Sequence, residues 1–440
     1  MGNNGFHFGA ACLIGLALGA SAPRADVREQ PSAKVPESAL SVSVPAQADQ
    51  TLLRAAQSSK PDFVRDLATL VNIDSGTDDA SGLSQVSEFL AQRLTNLGAA
   101  VQILPAKPAA GKMVHGTFQG TGSKNILLMV HFDTVFGKGE ATRRPFKVEG
   151  NKAFGPGVAD AKGGVAIILH ALKIARQRGF KDYKTLAILF NPDEEKSSLG
   201  SRDMIRTLSA KQDYVLSYEP PDAERVIVAT NGIAYVHLDA EGRAAHAGLE
   251  PEKGRNAAIE LAGQLMQLND LGDPAKGTTV NWTVIQSGER LSMPPVNIIP
   301  EKASATADMR MSDMSEIARV QNDANRIIRK KFVPDTKVSV RVEVRRPPFS
   351  RNPQSDRLAT LANRIYEELG RSIKPVPMRY GTDAGFAYHP GSAKPAVLEG
   401  LGIVGGGLHT SDEWADLDSV APRLYLTVRM LELLAKRDVE

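Results

Sequence analysis

Five separated segments of the chain end in histidine or a carboxylate, and together they carry the donors that a pair of metal ions would need. His131-Phe132-Asp133 closes the apolar run NILLMV (residues 125–130), and Asn191-Pro192-Asp193-Glu194-Glu195 closes TLAILF (185–190). Glu219 follows YVLSY (214–218), a glycine-rich turn at 155–159 delivers Asp160, and His409 comes two residues after Gly405-Gly406-Gly407. Two histidines and three carboxylates without a thiolate suit a pair of zinc ions better than a structural zinc site. The chemistry open to such a pair is activation of water against a polarised carbonyl.

Spacing adds detail. In an extended segment the period of two puts His131 and Asp133 on one side, so Asp133 is placed to accept the ring N–H that His131 does not use for metal. Taken alone, HxD reads rather as a surface histidine beside a turn aspartate, and DEE as a solvated turn. The conjunction carries more weight, because ligands in open α/β sheets gather at the carboxyl ends of strands.

The elements that must position these residues alternate between helical and strand-like runs from about residue 51, the pattern of an α/β domain with a largely parallel sheet. Helices are expected at 61–71, 84–97 and 163–179, and strands at 125–130, 185–190 and 214–218. An unbroken apolar run such as NILLMV is expected of a central strand covered on both faces. From 229 to 345 the order becomes α+β: strands at 234–240, 303–310 and 337–344, with helices at 255–268 and 314–331. That is the texture of a smaller domain inserted between catalytic segments 51–228 and 346–440, the second of which carries helices at 356–369 and 422–437. No repeat of 20–50 residues is visible.

Length and composition bound the rest. A chain of 440 residues makes two or three domains. With 23% charged residues and a net charge of +3 there is no dense basic stripe, so nucleic acid is not an expected partner. Residues 6–22 form an apolar stretch too short for a comfortable membrane span, ending in Ala20-Ser21-Ala22, so residues 1–22 read as an export signal. Residues 23–50 read as a flexible leader. The only cysteine, Cys12, lies in that segment, so the mature chain would have no disulfide and could fold in an oxidising compartment; the expectation is a periplasmic or secreted protein with no stable membrane anchor once the signal is removed.

The segments LLMVHFDTV, FGPGVADAKGG, FNPDEEKSSLGSRD, YVLSYEP, NGIAYV, RAAHAG, NWT, NIIP, TADMR, GTDAG and LHTSDEW occur in this order over residues 52–437. In that order they resemble the co-catalytic zinc aminoacylase and carboxypeptidase family, and within it the bacterial glutamate carboxypeptidases that cut folates. The resemblance implies a mainly parallel α/β sheet flanked by helices, with an inserted α+β domain that serves as lid and dimerisation surface. It implies two Zn²⁺ per chain bridged by Asp160, with His131 and Glu219 completing one site and Glu195 and His409 the other. Glu194 would be the general base and Asp133 the partner of His131. His246 would reach the site, its own or in a homodimer that of the neighbouring subunit, to stabilise the oxyanion, and Arg310 and Asn297 would hold the substrate carboxylate.

The implied reaction is hydrolysis of an N-acyl amino acid or peptide, with Glu194 taking a proton from water and returning it to the leaving amine. A dipeptidase or an N-acyl-amino-acid deacylase would use the same ligands and differ only in products. An inactive binding homologue would have lost a ligand or the base, and none is missing. The sequence departs from the folate-cutting enzymes at SGERLSMPPVNIIP, which is longer, and at Arg379-Tyr380-Gly381, which replaces a run of glycines. His115, His170, His237 and His389 have no such context and read as structural or solvated.

Overall fold

The three largely apolar runs become the centre of a six-stranded sheet. In this computed structural model, which describes residues 47–288 and 296–436, the strand order is Ala100–Pro105, Lys112–Gln119, Thr185–Asn191, Asn125–His131, Tyr214–Ser217, Ala396–Leu398. Only Lys112–Gln119 runs against the others. Alternate side chains go to opposite faces, and both faces are covered. Leu128, Ile188 and Leu216 pack under the helices Lys60–Val71, Lys162–Gln177 and Val420–Leu434, while Met129, Leu189 and Val215 pack toward Ile205 and Phe386.

Register decides what the strand ends present. His131 pairs with Asn191, and Met129 pairs with Ser217, so His131, the Asn191–Glu195 loop and Glu219 emerge at one level. The helix Lys162–Gln177 runs close beneath them. A Cβ at Gly164 would stand 2.1 Å from the backbone oxygen of Tyr218, and one at Gly163 would stand 2.2 Å from Ile403, so only glycine permits this approach. That contact brings Asp160, just before the helix, beside Glu219.

The 229–345 region forms its own four-stranded antiparallel sheet, ordered Thr279–Ser287, Lys302–Met311, Gly232–Glu241, Lys337–Arg346. The helices Ala257–Gln267 and Ser315–Ile327 cover one face and bury Leu261 and Val320 against Val236, Leu238 and Met309. The mainly parallel sheet with an inserted α+β unit is thus the architecture observed. Strands Ala100–Pro105, Lys112–Gln119 and Thr279–Ser287 and the helix Gln50–Ser58 were not anticipated.

The expected signal at 1–22 and residues 23–46 of the expected leader lie outside the described residues. The boundary at residue 50 is a correction, since Gln50 already opens the helix Gln50–Ser58. Asp49 caps the helix Gln50–Ser58 by accepting from the N–H groups of Thr51 and Leu52 at 3.0 Å each, and it pairs with Arg178 at 2.7 Å. Among the described residues no helix is long and apolar enough to cross a membrane.

Candidate metal centre

His131 is buried at the end of its strand with both ring nitrogens facing oxygen. Nδ1 lies 3.1 Å from the backbone oxygen of Asp133 and 3.2 Å from its Oδ1, so Nδ1 carries the proton. Nε2 then faces Asp160 Oδ1 at 3.1 Å and Glu219 Oε2 at 3.4 Å. The other oxygen of Asp160 faces a second group: Oδ2 lies 3.2 Å from His409 Nε2, which is also 3.2 Å from Glu195 Oε2. Asp160 therefore offers one oxygen to the His131–Glu219 pair and the other to the His409–Glu195 pair. His131, Asp160 and Glu195 hold donor atoms all within 4.8 Å of one another.

The electrostatics are those of a site short of positive charge. Burial and the neighbouring Asp160 push the Glu195 carboxyl up to about 8, and burial pushes Glu219 well above the usual range. Burial alone would depress His131, but Glu219, Asp133 and Asp160 outweigh it and hold the ring well above its ordinary value. Hydrogen bonds to Asp160 and Glu195 raise His409 to about 11.

The donor set fits zinc. A neutral His131 with its proton on Nδ1 would aim a lone pair at two carboxylates, an arrangement that calls for a cation or a second proton between them. Two donors each about 2.0–2.2 Å from a tetrahedral zinc lie roughly 3.4 Å apart, close to the separations seen here. Glu195 Oε1 is buried with no partner among the described residues, leaving a carboxylate oxygen free for a ligand.

Glu194 is buried beside its neighbour but points elsewhere. Its carboxylate meets Nη1 of the buried Arg346, whose Nη2 donates to the Glu194 backbone oxygen at 2.6 Å. The backbone N–H groups of Glu194 and Glu195 donate to Oδ1 and Oδ2 of Asp133 at 3.0 and 3.2 Å, so Asp133 braces His131 and the two glutamates together. Beside Glu195 opens a cleft of about 430 Å³ between Thr77, Val135, Phe136, Lys138 and Lys196.

The family model for the peptidase family M20/M25/M40 matches residues 127–433. The chain belongs to that family. Over 387 residues it is 39% identical to carboxypeptidase G2 of Pseudomonas sp. (strain RS-16), an alignment covering 87% of this chain and 92% of that protein. Among solved structures, aminopeptidase PepT from Bacillus cereus ATCC 10987 superposes with a TM-score of 0.69 at 22% identity, over 86% of this chain and 99% of its own. The Bacillus subtilis YXEP protein, a dinuclear metal binding peptidase from the M20 family, gives 0.59 at 14% identity, over 88% and 99%. These two likenesses concern the fold alone. The peptidase is a metallopeptidase, an amidohydrolase of the glutamate-carboxypeptidase-like kind.

The remaining expected residues of the peptidase lie on the inserted sheet and its ribbon. His246 and Asn297 come together: the two-residue strands Ala245–His246 and Ile298–Ile299 pair, and Ala247 N donates to Asn297 O at 2.8 Å. His246 is exposed, and its Nδ1 accepts from Gly248 N and Leu249 N at 3.1 Å each, which leaves the proton on Nε2 as an outward donor. Arg310 forms a two-point pair with Asp308 on its own strand, at 2.8 and 3.0 Å. Among the described residues no hydrogen bond or ion pair joins His246, Asn297 or Arg310 to the five clustered donors. Arg310 is nonetheless near in register, for Ile233 pairs with Arg310 on one side and with Arg346 on the other.

Four residues beside the centre were given no role from the sequence. Arg346 reaches Glu194, Glu399 accepts the N–H of Glu219 at 3.2 Å, and Glu413 accepts that of Asp160 at 3.0 Å. The hydroxyl of Tyr380 is buried with no partner among the described residues, and burial together with the charges of Glu399, Glu219 and Asp160 holds it well above its ordinary value. The unassigned histidines have local partners. His170 lies between Ser59 and Asp66 at 2.9 Å each, His237 meets Glu343 at 3.1 Å, and His389 meets Ser209 at 3.1 Å.

Proposed function

We propose that this peptidase is a secreted two-zinc carboxypeptidase that cuts the amide bond to a C-terminal amino acid, with glutamate preferred. The observation that carries the reading is Asp160, whose two oxygens face two separate His–Glu pairs at 3.1–3.2 Å. In this reading Asp160 would serve both ions, with His131 and Glu219 completing one site and His409 and Glu195 the other. Zinc bound there lowers the pKa of a water toward neutrality and polarises the scissile carbonyl.

The chain's own residues do the rest. Glu194 takes the proton from the attacking water and gives it to the departing amine. Asp133 keeps the His131 proton on Nδ1 and holds Glu194 and Glu195 in register through their N–H groups. His246, with its Nε2–H fixed outward, donates to the developing oxyanion. Arg310 and Asn297 grip the free carboxylate of the substrate, and Arg346 supplies a further guanidinium beside the base.

Residues 229–345 form a lid and dimerisation domain, and its exposed apolar residues support that role. Met266 and Ile285 are 82% and 61% exposed on the helix and edge strand that border one another. In a homodimer the exposed His246 reaches the partner's centre. Secretion rests on residues 1–22. The test is a panel of N-acyl amino acids and dipeptides incubated with zinc-loaded protein. Release of the C-terminal amino acid from N-acyl-glutamate supports the reading, and cleavage of dipeptides or simple N-acetyl amino acids alone assigns the activity to a dipeptidase or deacylase.

A further inference from the structure

Three of the segments that carry donors of the centre are held by carboxylates outside the donor set. Asp133 does this for the Glu194–Glu195 loop and Glu399 for Glu219. For Asp160 the holder is Glu413, which takes three backbone N–H groups: Gly157 on Oε2 at 2.8 Å, and Ala159 and Asp160 on Oε1 at 2.9 and 3.0 Å. Glu413 is 1% exposed, and the three amides use both of its oxygens. Charge-assisted bonds of this kind are roughly twice as strong as neutral ones. They act here on a glycine-rich loop that has few side chains of its own to fix it.

The same residue is tied to His409. Gly405–Gly406 and Trp414–Asp416 pair as a hairpin whose loop carries His409 near its tip and Glu413 at its base. The loop is closed by Thr410, whose N–H and Oγ1 donate to Gly407 O at 3.1 and 2.7 Å. Beyond Glu413, Trp414–Asp416 pairs with Lys152–Phe154, the strand that leads into the Asp160 loop. Glu413 therefore stands where the segment bearing His409 meets the loop bearing Asp160.

We propose that Glu413 is the positioning residue of the centre, fixing the Asp160 carboxylate between the two half-sites and setting its distance from His409. This rests on the two-metal reading above. Glutamine in its place keeps one acceptor but turns an NH₂ group toward backbone donors, so at least one of the three bonds becomes a donor facing a donor.

The experiment measures Zn²⁺ affinity of the full chain by chelator competition, alongside thermal unfolding of the metal-free protein. Glu413→Gln is expected to bind at least one of its zinc ions 10–100-fold more weakly, the range for losing a residue that orients a ligand, with turnover recovered in excess zinc. The control is Glu368→Gln, which removes a buried carboxylate from Tyr425 and Arg429 outside the centre. It is expected to lower the melting temperature without changing either zinc affinity. Unchanged affinities in Glu413→Gln, or an equal weakening in the control, would overturn the proposal. If Glu413→Gln does not fold, Glu413→Asp, shorter by one methylene, decides on the same criterion. Fewer than two zinc ions on the unaltered protein would overturn the two-metal reading itself and this inference with it.

Discussion

Arg346 holds Glu194 at two points, its Nη1 on the carboxylate and its Nη2 on the backbone oxygen, and both residues are buried. Removing one partner of a buried pair leaves an uncompensated charge, at a cost of about 3–5 kcal/mol. Arg346→Ala should therefore lower the unfolding free energy by about 3 kcal/mol. In a Glu194→Gln background no charge is stranded, and the same substitution should cost less than half as much. Urea unfolding of the four proteins supplies the cycle. Equal losses in both backgrounds would show that the two side chains are not coupled.

Adjacent glutamates in one loop should fail in different ways. Glu194 turns to Arg346, whereas Glu195 faces His409 and keeps an unpartnered oxygen. Glu194→Ala should retain both zinc ions and lose turnover by at least a hundredfold, and Glu195→Ala should lose at least one zinc ion. Chelators should silence the unaltered enzyme, with zinc restoring it. Metal analysis on dialysed proteins checks this, and equal metal loss in the two variants would refute the division of roles.

What the sequence disclosed and what it hid have physical causes. The strand ends were legible because apolar runs of four to seven residues are conspicuous and each leads within a few residues to His131, Glu194-Glu195 or Glu219. Glu399 obeys the same rule behind Ala396–Leu398, but a three-residue strand makes no visible run. Glu413 lay within LHTSDEW, where an acid beside a turn gives no hint that it reaches the loop before Asp160. Arg346 was hidden most deeply, because RVEVRR reads as simple alternation. A register shift between Val344 and Arg346 turns that arginine out of the sequence of faces and into the centre. The ion pair of Arg310 with Asp308 was equally invisible, although the two stand on one face of a strand.

The inserted unit leaves an apolar surface that a second copy would cover. Ile259 and Met266, seven residues apart on one helix face, are 59% and 82% exposed, and Val284 and Ile285 lie on the edge strand Thr279–Ser287. Met266→Lys combined with Ile285→Lys should convert a dimer to a monomer in sedimentation velocity. If His246 acts across the interface, the monomer should also lose turnover to about the level of His246→Ala. A fully active monomer of the unaltered protein would remove the proposal.

Specificity for a free carboxylate gives the sharpest test of the carboxypeptidase reading. Arg310 is held by Asp308 at 2.8 and 3.0 Å, so its guanidinium is pre-aimed but already engaged on one edge. A planar guanidinium has five N–H donors, and the two given to Asp308 leave three for a second carboxylate. A charged hydrogen bond of this kind contributes about 1.5–3 kcal/mol, which corresponds to one to two orders of magnitude in kcat/KM. N-acyl-glutamate should therefore be cut about 10–100-fold better than its α-amide, and Arg310→Ala should erase most of that difference while leaving cleavage of the amide nearly unchanged. Asp308→Asn frees the guanidinium edge but loosens its aim, so KM should rise less than in Arg310→Ala. The measurements are initial rates on both substrates, with N-acyl-leucine and N-acyl-phenylalanine alongside. If the amide is cut as fast as the acid, the enzyme is not a carboxypeptidase; if the acid is required but leucine or phenylalanine leaves faster, only the preference for glutamate is lost.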